Sequence, residues 1–284
     1  MNRSIFIALG IIACISCYIT QGVEVSANDQ LEARPSWVLS GLDSPESVIP
    51  DASGTFFYVS NVNGEAAEKN GAGYISRISF DGQLLEKKWV TGLNAPKGMA
   101  VKGSTLFVSD IDQLVLIDTS SGAIEARIDM PGAVFLNDVT VTPVGTLVSD
   151  SANARIYRYA DGDTSVWLED ERLGGVNGLL LLPDRLLITT MSAGELLSFD
   201  WESKALSVVA GGMKNADGVS ILADGSYLVS SWPGKLYHVQ GNGEHRVLLD
   251  TEAKSVNIND IFLMGTLLVT PNWSPGSVRA FIIE

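Results

Sequence analysis

The chain has 284 residues, of which 46% are hydrophobic and 18% charged, with a formal net charge of −14. This is a folded globular composition, neither disordered nor collagen-like. It makes nucleic acid a poor partner and cations good ones. The length admits one large all-β domain or two smaller ones.

The N-terminus reads as a signal peptide over residues 1–27. Arg3 supplies the positive start, Ile5 to Ile19 form a nearly continuous apolar run, and Val25-Ser26-Ala27 is a small-residue cleavage site. The expectation is a secreted or periplasmic protein. The run is short for a spanning helix, and no later segment is long and apolar enough to span a membrane. Both cysteines, Cys14 and Cys17, fall in this segment, so cleavage after Ala27 leaves no disulfide. Ile11-Ile12-Ala13-Cys14 also resembles a lipoprotein cleavage box, which would instead leave a lipid-anchored Cys14. Residues 28–35 read as a polar linker, and residues 36–284 as one repeating domain.

One phrase recurs through that domain: Pro45-Glu46-Ser47-Val48, Pro96-Lys97-Gly98-Met99, Leu136-Asn137-Asp138-Val139, Val176-Asn177-Gly178-Leu179, Ala216-Asp217-Gly218-Val219 and Ile258-Asn259-Asp260-Ile261. The marked positions 46, 97, 137, 177, 217 and 259 are separated by 51, 40, 40, 40 and 42 residues, an array signature. Each unit carries a short apolar run after the marked residue, a turn, a second run such as Leu106 to Val108, then a third such as Arg155 to Tyr159. Several add a fourth, such as Arg246 to Leu249. Four short strands per unit of this length predict an all-β, six-bladed β-propeller with four antiparallel strands per blade. The last unit stops at Glu284 after its third strand. The spare strand around Trp37 is therefore expected to complete that blade and remove its exposed edge.

Antiparallel blades place the start of each first strand and the loop after each second strand on one face. Glu46, Lys97, Asn137, Asn177, Asp217 and Asn259 are therefore expected to ring one mouth of the central channel. The second-strand loops should surround them, the longest being Asn61 to Gly73, a candidate lid with Gly64, Gly71 and Gly73. Five of the six ring residues offer oxygen, and none is His or Cys. Such donors suit a hard cation, calcium, magnesium or manganese, better than zinc. Held by Glu46, Asn137, Asn177 and Asp217, a cation would polarise a carbonyl or phosphoryl oxygen and acidify water, with Asp217 as general base. Asn-Gly and Asp-Gly are also turn signals, but a turn does not call for Glu at position 46.

These phrases, with Gly145-Thr146-Leu147, Ser149-Asp150, Pro183-Asp184 and Asp224-Gly225, resemble the gluconolactonase / regucalcin / luciferin-regenerating enzyme family over most of residues 40–284. The resemblance implies a six-bladed propeller with a divalent cation, commonly calcium, in its channel, and hydrolysis of lactones or, in related propellers, phosphotriesters. It matches Glu46, Asn177 and Asp217 to metal ligands, Asn137 to a substrate-contacting or metal-facing Asn, and Asp217 also to the base. Two departures stand out. Ser47-Val48 follows the Glu where the family has Gly-Pro or Ser-Pro, and Phe135 stands where its sugar lactonases often carry Arg. The second departure favours a more apolar substrate. Lys97 has three readings: an internal partner for Glu46 or Asp217, an anion-binding group reaching over the cation, or a side chain that snorkels out. With Asn137 and Asn259, it is a candidate substrate contact.

The remaining residues are read as structural. His238 and His245 are expected as exposed strand residues, Asp110 and Asp260 as turn residues, and Trp232 and Trp273 as packing between blades, though they also stand where they could wall the site. A cation-dependent lactonase or esterase acting on a small molecule is the leading expectation. A non-catalytic propeller binding a small molecule or protein at the same mouth is the alternative, because the fold hosts many functions.

Overall fold

The computed structural model describes residues 31–284. The expected signal segment, its cleavage site and both cysteines lie outside the described residues. Within them the chain is all-β, with two single-turn 3₁₀ helices at Glu171–Leu173 and Glu252–Lys254. No helix there is long and apolar enough to cross a membrane.

Six sheets of four antiparallel strands form the blades of a propeller. The first blade runs Pro45–Pro50, Phe56–Asn61, Gly73–Ser79 and Leu84–Leu93. The innermost strands of the next four begin at Pro96, Leu136, Val176 and Ala216. In the sixth blade the innermost strand is Phe262–Met264, just after Asn259. The strands form because their apolar residues alternate or run continuously between turns. Side chains from facing blades interlock into a core. Between the third and fourth blades, for example, Leu147 and Ile156 pack with Val176, Leu186 and Ile188.

The ring closes as the sequence predicts. Ala33–Ser40 pairs antiparallel with Ser277–Ile283, Trp37 standing opposite Ala280 and Leu39 opposite Val278. The closing strand starts at Ala33, ahead of the expected boundary at residue 36. Its hold extends to the neighbouring blade. The Trp37 indole N–H donates to the Phe80 carbonyl at 3.0 Å, and its ring lies flat over Gly82, where any Cβ would collide with it. Gly82 has φ of +84°, so the tight turn and the indole both require glycine. The seam between the chain's two ends is thereby sealed by hydrogen bonds, an aromatic plug and an Arg34–Glu284 ion pair.

Trp37→Ala is expected to cost about 2 kcal/mol and lower Tm by roughly 4–8 °C. Val38→Ala, on the 56% exposed neighbour, should leave Tm unchanged. Thermal unfolding followed by circular dichroism checks both, and equal effects would contradict a plug at Trp37.

Candidate active site at the channel mouth

In five blades the innermost strand bulges at the marked residue. The ladder skips from Pro45 to Val48, Pro96 to Met99, Leu136 to Val139, Val176 to Leu179 and Ala216 to Val219. A bulge leaves backbone groups outside the ladder, and a buried group needs another partner. Hydroxyls of the second strands supply it. The N–H of Ser47 donates to Ser60 Oγ at 3.0 Å, that of Asp138 to Ser149 Oγ at 2.8 Å, that of Gly178 to Thr189 Oγ1 at 2.8 Å and that of Gly218 to Ser230 Oγ at 2.7 Å. Several of these hydroxyls also donate to the marked residue of the next blade. Ser149 Oγ reaches the Asn177 carbonyl at 2.8 Å, Ser109 reaches that of Asn137, and Thr189 that of Asp217. Ser149 and Thr189 thus stitch the bulge of their own blade to that of the next. The sequence reading missed these hydroxyls, although Ser60, Ser109, Ser149, Thr189 and Ser230 share one phase of the repeat.

The strand starts are pinned from behind as well. Asp110 is fully buried and accepts the N–H groups of Asn94 at 3.0 Å and Ala95 at 2.8 Å. Asp150 does the same for Val134 at 3.1 Å and Phe135 at 3.0 Å. Asp110 is thus corrected from a turn residue to the last residue of the strand Thr105–Asp110, from which its carboxylate holds the turn ahead of Pro96.

The result is one cavity of about 320 Å³, lined by all six marked residues, Glu46, Lys97, Asn137, Asn177, Asp217 and Asn259. Its walls come from the loops after the second strands, with Ala66, Met191, Trp232 and Trp273, and from Phe135. Trp232 and Trp273 are thus corrected from blade packing to wall residues, because the loops after the second strands carry them over the mouth. Trp273 also packs on the Val62, Ala95 and Ile111 cluster. Ala66 and Met191 had no distinguishing signal in the sequence.

Polar satisfaction differs around the ring. Asn137 donates its amide to Ser151 Oγ at 3.2 Å, and Asn177 donates to Met191 Sδ at 3.4 Å, and neither amide oxygen accepts a hydrogen bond. Asn259 turns its oxygen to the Trp273 N–H at 3.1 Å, so it shapes the wall. Asp217 is 3% exposed, and its Oδ1 is the one buried carboxylate oxygen among the described residues without a hydrogen-bond partner. Burial pushes the Asp217 carboxyl well above the usual range, and the Asp260 and Asp138 charges add to the shift. Glu46 is raised for the same leading reason, then by Asp217, while Lys97 opposes the rise.

Lys97 forms no ion pair with either acid. It is 2% exposed, donates to the Ala66 carbonyl at 2.9 Å and the Ala95 carbonyl at 3.1 Å, and stands 4.3 Å from the Phe135 ring centroid. The readings as an internal counter-ion within hydrogen-bond reach and as a snorkelling side chain are both corrected. Its hydrogen bond to Ala66 pins the Asn61 to Gly73 loop over the mouth. Burial lowers its pKa, against the pull of Glu46 and Asp110.

Asp260 is not a turn residue. With Asp138 it lies on the far side of the ring, where a second cavity of about 470 Å³ opens at the opposite mouth. Asp260 accepts from Ser47 Oγ at 2.7 Å and the Ile261 N–H at 2.7 Å, and burial pushes its carboxyl up to about 6. Asp138 accepts from the Leu179 N–H across the blade boundary at 2.6 Å. Gly98 and Gly218 make room for these two, since a Cβ on Gly218 would lie 2.5 Å from Asp260 Oδ1. Of the histidines, His245 is exposed as expected. His238 is buried at 8% and meets Ser226 Oγ at 2.9 Å, because its strand is enclosed between blades. Neither lines the mouth cavity.

Compared with protein-family models and with curated proteins, the sequence matches none. Solved structures do resemble it. Virginiamycin B lyase from Staphylococcus aureus is 13% identical over 89% of this chain and 99% of that one, with a TM-score of 0.65. A catalytically inactive histidine-to-alanine variant of that lyase, solved with quinupristin, is 14% identical over 89% and 99%, with a TM-score of 0.61. A protein solved as a "putative gluconolactonase" is 17% identical over 90% and 93%, with a TM-score of 0.64. At these identities the likeness is one of fold, and the chain is a six-bladed β-propeller with an acid- and amide-ringed mouth.

Ser149→Ala leaves two buried backbone groups without their partner and should cost about 2–3 kcal/mol, whereas Ser149→Thr should be tolerated, since Thr189 fills the equivalent place. Denaturant unfolding of the two variants checks this. Equal stability of Ser149→Ala and the parent would contradict the stitching.

Proposed function

We propose that this chain is a secreted or periplasmic hydrolase of lactones or esters that depends on a divalent cation at the channel mouth, calcium before magnesium or manganese. The observation that carries the reading is the buried Asp217 Oδ1 with no hydrogen-bond partner, in a cavity shared with Glu46 and three Asn side chains, of which Asn137 and Asn177 have open amide oxygens. Buried polar atoms are ordinarily satisfied, and buried carboxylates left unpaired cost several kcal/mol each. A hard cation answers both, and its preferred ligands are the oxygens present. Glu46, Asn177 and Asp217 would hold it, with Asn137 as a further ligand or as the group that orients the substrate.

When bound, the cation supplies positive charge that polarises the scissile carbonyl and lowers the pKa of water. Asp217 takes a proton from the attacking water as the water oxygen bonds to the carbonyl carbon. The carbon–oxygen bond to the leaving alkoxide breaks, and the same proton passes to that alkoxide. A lactone therefore yields its hydroxy acid with no other reactant. Phe135, Trp232 and Trp273 keep bulk water from the reacting carbonyl, and Lys97 holds the Ala66 loop in place above it. A histidine-dependent lyase reaction is less well supported, since both histidines lie away from the cavity.

A lactone and aryl-ester panel, assayed by proton release with and without a chelator, tests the proposal. Turnover should vanish on chelation and return with calcium. Asp217→Asn should lower kcat by about 10²–10⁴-fold. Turnover unchanged by Asp217→Asn, or no turnover on any member of the panel, would overturn it.

A further inference from the structure

We infer that the substrate is a lactone or ester with an apolar acyl portion, alkyl or aryl, and not a polyhydroxylated sugar lactone. The inference deepens the hydrolase reading and rests on it for the chemistry, while the cavity walls carry the selectivity.

The mouth divides sharply into two zones. Polar groups come only from the marked residues at its base, and everything above them is apolar: Ala66, Phe135, Met191, Trp232 and Trp273. A sugar lactone would place a hydroxyl on nearly every carbon, most of them against those walls and away from the open acceptors at the base, the Asn137 and Asn177 amide oxygens and the two carboxyls. At the base, one N–H of the Asn137 amide goes to Ser151, one of the Asn177 amide to Met191, and the Asn259 oxygen takes the Trp273 backbone N–H. Lys97 spends two of its three N–H bonds on backbone carbonyls. Each substrate hydroxyl buried without a partner weakens binding by about tenfold. An alkyl or aryl group meets the opposite situation. Indole and phenyl faces offer apolar area with few rotamers to freeze, and Trp232 stands 37% exposed on the rim. The volume of about 320 Å³ is at the small end for ligand pockets. It suits one ring with a short substituent.

The test compares a pentyl-substituted δ-lactone with glucono-δ-lactone in turnover, and the corresponding pentyl lactam with gluconolactam in binding by calorimetry with calcium present. The lactams report wall selectivity without any reaction. The pentyl compounds should be favoured by at least about tenfold in kcat/KM and in affinity. Trp232→Ala should cut that preference severalfold, and Trp232→Phe should restore it. Binding of a lactam with no turnover of either lactone would remove the hydrolase reading and leave the wall selectivity standing. Preferred turnover of glucono-δ-lactone would overturn the substrate class and leave the hydrolase. Equal affinity for the two lactams, or binding of neither, would overturn the inference outright.

Discussion

The structure depends on a hydrogen bond that lies outside every β-ladder. At the start of the innermost strands the chain bulges, and a second-strand hydroxyl takes the freed N–H, as Ser149 does for Asp138 at 2.8 Å and Ser230 for Gly218 at 2.7 Å. Without a partner the bulge would bury a bare amide and be too costly to keep. With it, two successive residues leave the ladder pattern and face the channel. The first of each pair lines the mouth, and where the second is Asp138 or Asp260 it reaches the opposite cavity. Because Ser149 and Thr189 also bond the carbonyl of the next marked residue, the blades are registered to one another at the height where the side chains converge.

That convergence carries an electrostatic burden. Glu46, Asp138, Asp217 and Asp260 share a narrow acidic core, each pushed upward first by burial, and for three of them further by neighbouring acids. Lys97 is the nearest cation, yet it is turned to backbone carbonyls and to Phe135. The lower pair is satisfied by Ser47 and backbone N–H groups. Asp217 at the mouth is not. The fold thus keeps an unsatisfied acid at the place open to small molecules, a common arrangement where a site is reserved for a ligand.

Much of this was legible in the sequence, because repetition exposes phase. The six marked residues, their blade spacing and the closing strand at Trp37 could be read from the recurrence of one phrase. The residues misread are those whose role depends on what lies opposite. Asp260 and Asp110 look alike in the chain, but one faces the channel across from Gly218 and the other caps a strand start. Trp232 and Trp273 could pack or line a wall, and only the path of their loops decides. Lys97 has several possible partners in the sequence because a long side chain samples many, and the Ala66 carbonyl that holds it lies in a loop without pattern.

Trp232 and Trp273 line the same cavity as Glu46 and Asp217, so they would transfer excitation to a lanthanide held there. Terbium, a hard oxygen-seeking stand-in for calcium, should give tryptophan-sensitised emission that calcium displaces and that the Glu46→Gln, Asp217→Asn double variant abolishes. Absent emission, or emission that persists undiminished in the double variant, would contradict a cation site at this mouth.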